Sequence, residues 1–122
     1  MENAPDNTAI ESAPDKRDFN PIFPAHDTQA ARLLAMALIG QKINPLRGWV
    51  SLGIYRLSDT KFRLKAMGWP MESDRLHVSN KFGEACRVAL YGLPDWSIEA
   101  AGDKGREFAE NEQALMTERR AA

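Results

Sequence analysis

The sequence predicts an α+β fold in which three helices precede a two-stranded β-hairpin. Two observations carry this prediction. Over residues 29–39, apolar residues recur at three- and four-residue intervals, and the start signal Asn44-Pro45 with glycines at 53 and 68 marks out two further helices. After Gly68 the pattern changes to short stretches that alternate between apolar and polar residues, which is typical of strands. We therefore expect one folded domain over residues 27–93, with flexible acidic tails on both sides.

Composition narrows the class of protein. The chain has 122 residues, of which 43% are hydrophobic and 27% charged, as is usual for soluble domains. No apolar run approaches the ~20 residues that cross a bilayer, and the N-terminus lacks the basic start and apolar stretch of a secretory signal. Cys86 is the only cysteine, and His26 and His77 stand far apart in sequence. We expect a cytoplasmic protein with no membrane segment, metal or cofactor.

The first helix is predicted over residues 29–39. Asp27 or Thr28 can cap its start, and Gly40 ends it. Its apolar residues recur every three or four positions and so form one buried stripe. They are Ala30, Leu33, Leu34, Ala37 and Leu38.

The second and third helices are predicted to form a helix-turn-helix. Asn44 followed by Pro45 is a strong start signal, because the Asn side chain caps the helix and proline suits its first position. Gly53 provides the backbone freedom that a tight turn needs. The third helix is expected from about residue 55 or 56 to Met67, and Gly68 closes it.

The hairpin is predicted to form a wing behind these helices. Its first strand is expected over residues 69–73, a polar loop over residues 75–83, and its second strand over residues 84–91. Alternation in the second strand puts Cys86, Val88 and Leu90 on one side, and Arg87 and Tyr91 on the other.

The two ends of the chain are predicted to be tails. Residues 1–26 contain four prolines and few aliphatic residues, so we expect them to be disordered or loosely draped. The exception is the apolar segment 19–24, which we expect to dock on the domain, with docking on a partner as the alternative. Residues 94–122 are polar, and a helix over 103–120 is interpreted as a frayed tail or a weak partner-binding helix. Its few apolar residues are Phe108, Leu115 and Met116.

Charge is strongly segregated along the chain. Residues 1–27 carry two Lys or Arg against six Asp or Glu, residues 28–91 carry ten against four, and residues 92–122 carry four against seven. A basic body between acidic ends is typical of a nucleic-acid-binding protein. The acidic tails can also lie over the basic body as autoinhibitors.

The basic third helix is the predicted DNA-reading element. At about 100° per residue, Leu57 and Leu64 point inward and leave a polar face outward. Arginine pairs with guanine through two hydrogen bonds, and Ser or Thr can contact bases or phosphates. The candidate base-reading residues are Arg56, Ser58, Thr60 and Arg63. Further candidate DNA contacts are Arg47 on the second helix, Lys61 and Lys65 on the third, and Arg75 and Lys81 in the wing.

The large aromatic residues are expected to serve packing. Trp49 and Trp69 are predicted in the core, where large apolar residues close a small domain. Phe62 belongs to neither face of the third helix. We expect it to pack under the wing, and contact with a thymine methyl group is the alternative. His77 is interpreted as an ordinary polar residue of the wing loop.

Three segments together resemble a family of small winged helix-turn-helix proteins of bacterial prophages and mobile elements. They are Leu46-Arg47-Gly48, Ser51-Leu52-Gly53-Ile54 and the stretch from Arg63 to Met71, and the resemblance covers about residues 28–92. It implies a recognition helix followed by a two-stranded wing. The chain departs from the family at Lys61, where an aliphatic residue is usual, and at Thr60, where arginine is common.

These patterns predict a function in DNA binding. The sequence has no G-x-S-x-G, phosphate-binding glycine loop or H-E-x-x-H motif, and we expect no enzymatic activity. The expected function is that of a sequence-specific regulator of transcription, bound to double-stranded DNA, in a phage or mobile element. Two alternatives stay open: an excisionase-like factor that bends DNA, and a winged-helix adaptor that binds protein. A homodimer or a protein partner bound through the tails is a further possibility.

Overall fold

A computed structural model describes residues 19–121. In chain order these residues form α1 (Gln29–Leu38), α2 (Pro45–Leu52), α3 (Leu57–Ala66), β1 (Glu72–Ser79), β2 (Ala85–Gly92) and α4 (Asp95–Ala121). The two strands pair antiparallel as a hairpin. The predicted α+β class is therefore confirmed, with a fourth helix added. None of the helices in this described part combines the length and apolar character that crossing a membrane requires.

The starts of α1 and α2 are as predicted, because their caps are local. The Thr28 hydroxyl accepts a hydrogen bond from the Ala31 N–H (3.1 Å). The Asn44 side chain does the same for the Arg47 N–H (2.8 Å). At the end of α2, Gly53 adopts a left-handed conformation with φ of 68°, which a residue with a side chain rarely adopts.

The centre of the core is α1. It packs against α2, α3 and α4, and most of its residues are buried. The alternation of alanine with leucine lets neighbouring helices approach it from several sides. The largest fully buried apolar side chains of the described residues are Leu33, Leu34, Ile43, Ile54, Leu64, Trp69 and Met71.

The wing is longer than predicted. β1 begins at Glu72 and continues to Ser79, so it includes residues 75–79, which the sequence predicts as a loop. The connecting turn is confined to residues 80–84. Arg75 and His77 are therefore strand residues. β1 is exposed along its whole length, and apolar residues alternate only in its second half, at Leu76 and Val78, where they are exposed too. Pairing with β2 determines its extent.

Residues 19–26 lie against the core. The Trp69 indole Nε1 donates a hydrogen bond to the Ile22 carbonyl (2.9 Å). The rings of Phe19 and Phe23 pack edge-on against Trp69, with centroid distances of 5.6 Å and 5.2 Å. The expected docking of this apolar segment is confirmed, and the prediction of disorder is wrong for residues 19–26. For residues 1–18, the prediction of disorder concerns residues outside the described part of the chain.

The C-terminal segment is a core helix, with a break at Gly102 (φ 58°, ψ −139°). Phe108 and Ala109 are buried, and α4 packs along α1. The predicted boundary after residue 93 and the polar tail over residues 94–122 are therefore wrong for the described residues.

Small residues explain why the sequence pattern missed α4. At Gly105, an added Cβ would lie 3.3 Å from Leu38 Cδ2 and 2.8 Å from Ala101 Cβ. The helix thus approaches α1 closely through residues that carry little hydrophobic signal.

Candidate nucleic-acid interface

The inward face of α3 is formed by Leu57, Thr60 and Leu64, which are all buried. Thr60 is only 3% exposed, and its hydroxyl donates a hydrogen bond to the Arg56 carbonyl (3.3 Å). Threonine tolerates burial in a helix because its hydroxyl can bond to the carbonyl four residues earlier. The prediction that Thr60 reads bases is therefore wrong, since its side chain faces the core.

The outward face of α3 carries cationic and uncharged side chains together with one carboxylate, Asp59. Arg56 occupies the position before the helix, and Ser58, Arg63 and Lys65 are exposed, as the prediction for these four residues requires. Phe62 is 74% exposed. The expectation that it packs under the wing is wrong, because it projects from the side of α3 that faces away from the core.

Lys61 joins α3 to the wing. Its ammonium group donates a hydrogen bond to the Ser73 hydroxyl (3.2 Å) and lies 5.7 Å from the centroid of the Tyr91 ring. In this arrangement its charge serves the contact with the hairpin rather than a phosphate. A long stem with a polar end suits this position at the edge of the core.

One side of the wing continues the surface of α3. Ser73 and Tyr91 are paired across the hairpin and point to the same side, which is the side that meets Lys61. Because side chains alternate along a strand, Arg75 and Arg87 project from that side too. His77 is paired directly with Arg87. The face of the wing next to α3 is therefore cationic.

Arg87 was not among the predicted contacts. The signal was present in the sequence, since alternation already put Arg87 on the same side as Tyr91. What was lacking was the knowledge of which side faces α3. We call the outward face of α3 together with this side of the wing the candidate DNA surface.

Lys81 lies in the turn at the tip of the wing, as predicted, and is exposed. Asn80 holds this turn, since its side-chain oxygen accepts hydrogen bonds from the Phe82 N–H (2.9 Å) and the Glu84 N–H (3.0 Å). Gly83 provides the positive φ of 80° that the turn requires. The tip is thus a defined structure that presents a cation.

Within residues 19–121, the cations of the candidate DNA surface are not neutralised by ion pairs. Ion pairs in the described part of the chain join Asp27 to Arg32 and Arg119, Asp103 to Arg106, and His26 to Glu112. Among the described residues, the cations of α3 and the wing have no carboxylate within ion-pair distance. Their charge is therefore available to an anionic ligand.

The outer side of α2 is unexpectedly apolar. Arg47 is exposed there, as predicted. Trp49 is 57% exposed and packs edge-on against the Tyr55 ring (5.8 Å between centroids). The predicted burial of Trp49 is wrong, whereas that of Trp69 is confirmed. With their exposed neighbours these rings form the apolar α2 patch, which consists of Leu46, Trp49, Val50 and Tyr55.

Comparison with protein-family models, with curated proteins and with solved structures finds no match to this chain. Within the described residues, no group of three or more His, Cys, Asp or Glu side chains is arranged to hold a metal ion. The class that the structure defines is an α+β protein whose hairpin turns a cationic side towards an exposed helix. Its function is inferred from the geometry and charge of that surface.

Proposed function

We propose that this chain is a winged helix-turn-helix protein that binds double-stranded DNA sequence-specifically and regulates transcription. The observation that carries the proposal is the continuity of the candidate DNA surface. An exposed helix with unpaired cations is joined through Lys61 to a hairpin whose adjacent side carries Arg75 and Arg87. The family resemblance of the sequence supports a role in a prophage or mobile element.

The two parts of the surface suit different parts of a duplex. The major groove is about 12 Å wide and admits one α-helix, so α3 is the element that enters it. Arg56 and Arg63 can then reach guanine edges with paired hydrogen bonds. The arginines of the wing fit the phosphate backbone beside the groove, where they fix the position of the protein without reading sequence.

A fluorescence anisotropy titration tests this proposal. The probe is a labelled duplex from the region upstream of the gene, measured against a scrambled duplex at two salt concentrations. We expect Arg56→Ala/Arg63→Ala to lower the affinity for the preferred duplex by about tenfold or more, since each bidentate contact is worth about 1–3 kcal/mol. A matched control is Lys104→Ala/Arg106→Ala, which removes two exposed cations from α4.

Two results would count against sequence-specific binding. One is the absence of any binding to either duplex. The other is weak binding that ignores both the sequence and the substitutions in α3. If specific binding is found, a bending assay separates the regulator from the excisionase-like factor, because the latter bends its DNA.

Protein binding is a second candidate, and the apolar α2 patch favours it. Contiguous exposed apolar residues, aromatic ones above all, are typical of protein interaction sites. Sedimentation velocity of the wild type and of Trp49→Ser over a range of concentrations tests self-association through this patch. Self-association is supported if the sedimentation coefficient of the wild type rises with concentration and that of Trp49→Ser does not. It is contradicted if both proteins sediment as monomers over the whole range.

A further inference from the structure

Phe62 occupies the middle of the outward face of α3. At about 100° per residue it lies about 160° around the helix from the buried Leu64. Ser58 lies one turn before it and Ala66 one turn after it, and both are exposed. Phe62 makes no ring contact with another described residue and is 74% exposed. An apolar side chain at this position is costly in water and is well placed for a ligand.

Charges flank this apolar centre on both sides. Arg63 and Lys65 are exposed, and they lie about 100° and 60° from Phe62 in opposite directions around the helix; the exposed Asp59 lies about 60° from Phe62 on the Arg63 side, so cations outnumber carboxylates there by two to one. A helix with an apolar centre and cationic edges matches the major groove, whose walls are phosphates. The apolar groups on the floor of that groove are the 5-methyl groups of thymine.

We propose that Phe62, with Ala66 beside it, contacts thymine 5-methyl groups, so that the preferred site contains thymine opposite the middle of α3. This inference rests on the proposed DNA binding. It adds a specificity-determining residue to a surface whose other side chains are polar. An apolar protein surface is the alternative ligand of the Phe62 side chain. Only a contact with DNA predicts that affinity falls when uracil replaces thymine.

Uracil in place of thymine provides the test, because the two bases differ by the methyl group alone. A random duplex pool is first enriched for binding to the wild type. The most enriched duplex is then synthesised with thymine or with deoxyuridine at each thymine position in turn. We expect deoxyuridine at the contacted positions to weaken wild-type binding about fourfold per methyl group, as removal of one buried methyl group does.

The protein variants make the test specific to one side chain. For Phe62→Ala, thymine and deoxyuridine duplexes should bind equally, whereas Phe82→Ala, which removes an exposed phenylalanine from the tip of the wing, should keep the thymine preference. Both residues are exposed, so the fold is expected to persist, and circular dichroism checks this.

The outcomes are distinguishable. Specific binding that is indifferent to uracil, or a thymine preference that survives in Phe62→Ala, would overturn this inference and leave DNA binding intact. Failure to enrich any duplex would remove the proposed function and this inference with it.

Discussion

Lys61 of α3 donates a hydrogen bond to Ser73 of β1, with 3.2 Å between Nζ and the hydroxyl oxygen. This contact joins the two halves of the candidate DNA surface. The same ammonium group lies over the Tyr91 ring on the neighbouring strand. β1 is exposed along its length, so a contact at its base has a large influence on where the wing points. Lys61 is thus a positioning residue for the wing.

Ser73→Ala tests this positioning role. We expect the free energy of unfolding to change by less than about 1 kcal/mol, because the hydrogen bond is exposed. DNA affinity should nevertheless fall, since the wing loses a side-chain contact with α3 and keeps only its other anchors, among them two backbone hydrogen bonds between Ile43 and Tyr91 (2.8 Å each). Ser79→Ala, at the far end of the same side of β1, is the control. Equal affinities of the two variants, measured by anisotropy alongside urea unfolding, would argue against positioning by Lys61.

The wing arginines are predicted to contact phosphates. Arg75→Ala and Arg87→Ala should each weaken binding to all duplexes by a similar factor. Each should also reduce the slope of log K against log salt concentration by about 0.9, the value for one phosphate contact. Arg106→Ala on α4 is the control and should leave the slope unchanged. A wing variant that changes the preferred sequence instead would assign that arginine to a base.

The N-terminal segment is predicted to contribute to stability from residue 19 onward. A chain that starts at residue 27 loses the packing of Phe19 and Phe23 on Trp69, and the hydrogen bond to the Trp69 indole. We expect it to be destabilised by at least about 3 kcal/mol, the scale for removing one large aromatic side chain from a core. A chain that starts at residue 19 keeps these contacts and is the control for the truncation at residue 27. Similar urea midpoints of unfolding for both truncated chains would contradict the packing of Phe19 and Phe23 on Trp69.

The chain that starts at residue 19 also tests autoinhibition. Residues 1–18 carry five Asp or Glu against two Lys or Arg, and the chain enters the described fold beside the end of α3, where Pro21 adjoins Gly68. If this acidic segment competes with DNA, the chain that starts at residue 19 should bind DNA several-fold more tightly at low salt. The difference should shrink at high salt, because the competition is electrostatic. Unchanged affinity at low salt would rule out this competition.

Glu112 is predicted to hold α4 to the start of the fold. Its carboxylate is completely buried, accepts a hydrogen bond from the Asp27 N–H (2.9 Å) and pairs with His26. Glu112→Ala leaves the Asp27 N–H without its acceptor, at a cost of about 1–3 kcal/mol before any cavity effect. Glu112→Gln keeps an acceptor oxygen and should lose less. Chemical unfolding measures both variants, with the exposed Glu110→Ala as control; equal losses for the Ala and Gln variants would contradict this role.

Local features were predictable because their causes lie within a few residues. Thr28 and Asn44 cap the first two helices because each side chain accepts a hydrogen bond from the N–H three residues later. Gly53 ends α2 because its own backbone conformation excludes other residues. The cationic character of α3 and the wing was likewise visible from residue types alone.

The errors concern contacts between distant parts of the chain. Trp49 was assigned to the core because of its size, yet α2 buries its small Gly48 instead, where a Cβ would meet Leu57. Thr60 is an exception, because its error was local: at about 100° per residue it lies within about 60° of Leu57 and Leu64, on the inward face. Its hydroxyl finds a partner within the helix.

By itself, the sequence determined the helix starts, the turn, the order of helices before hairpin and the separation of charge. These depend on interactions over three or four residues, or on composition. The tertiary structure alone decided that α4 belongs to the core and that the side of the wing with Arg87 adjoins α3. Those outcomes follow from close packing between elements far apart in sequence, where shape and available space outweigh the polarity of a single residue.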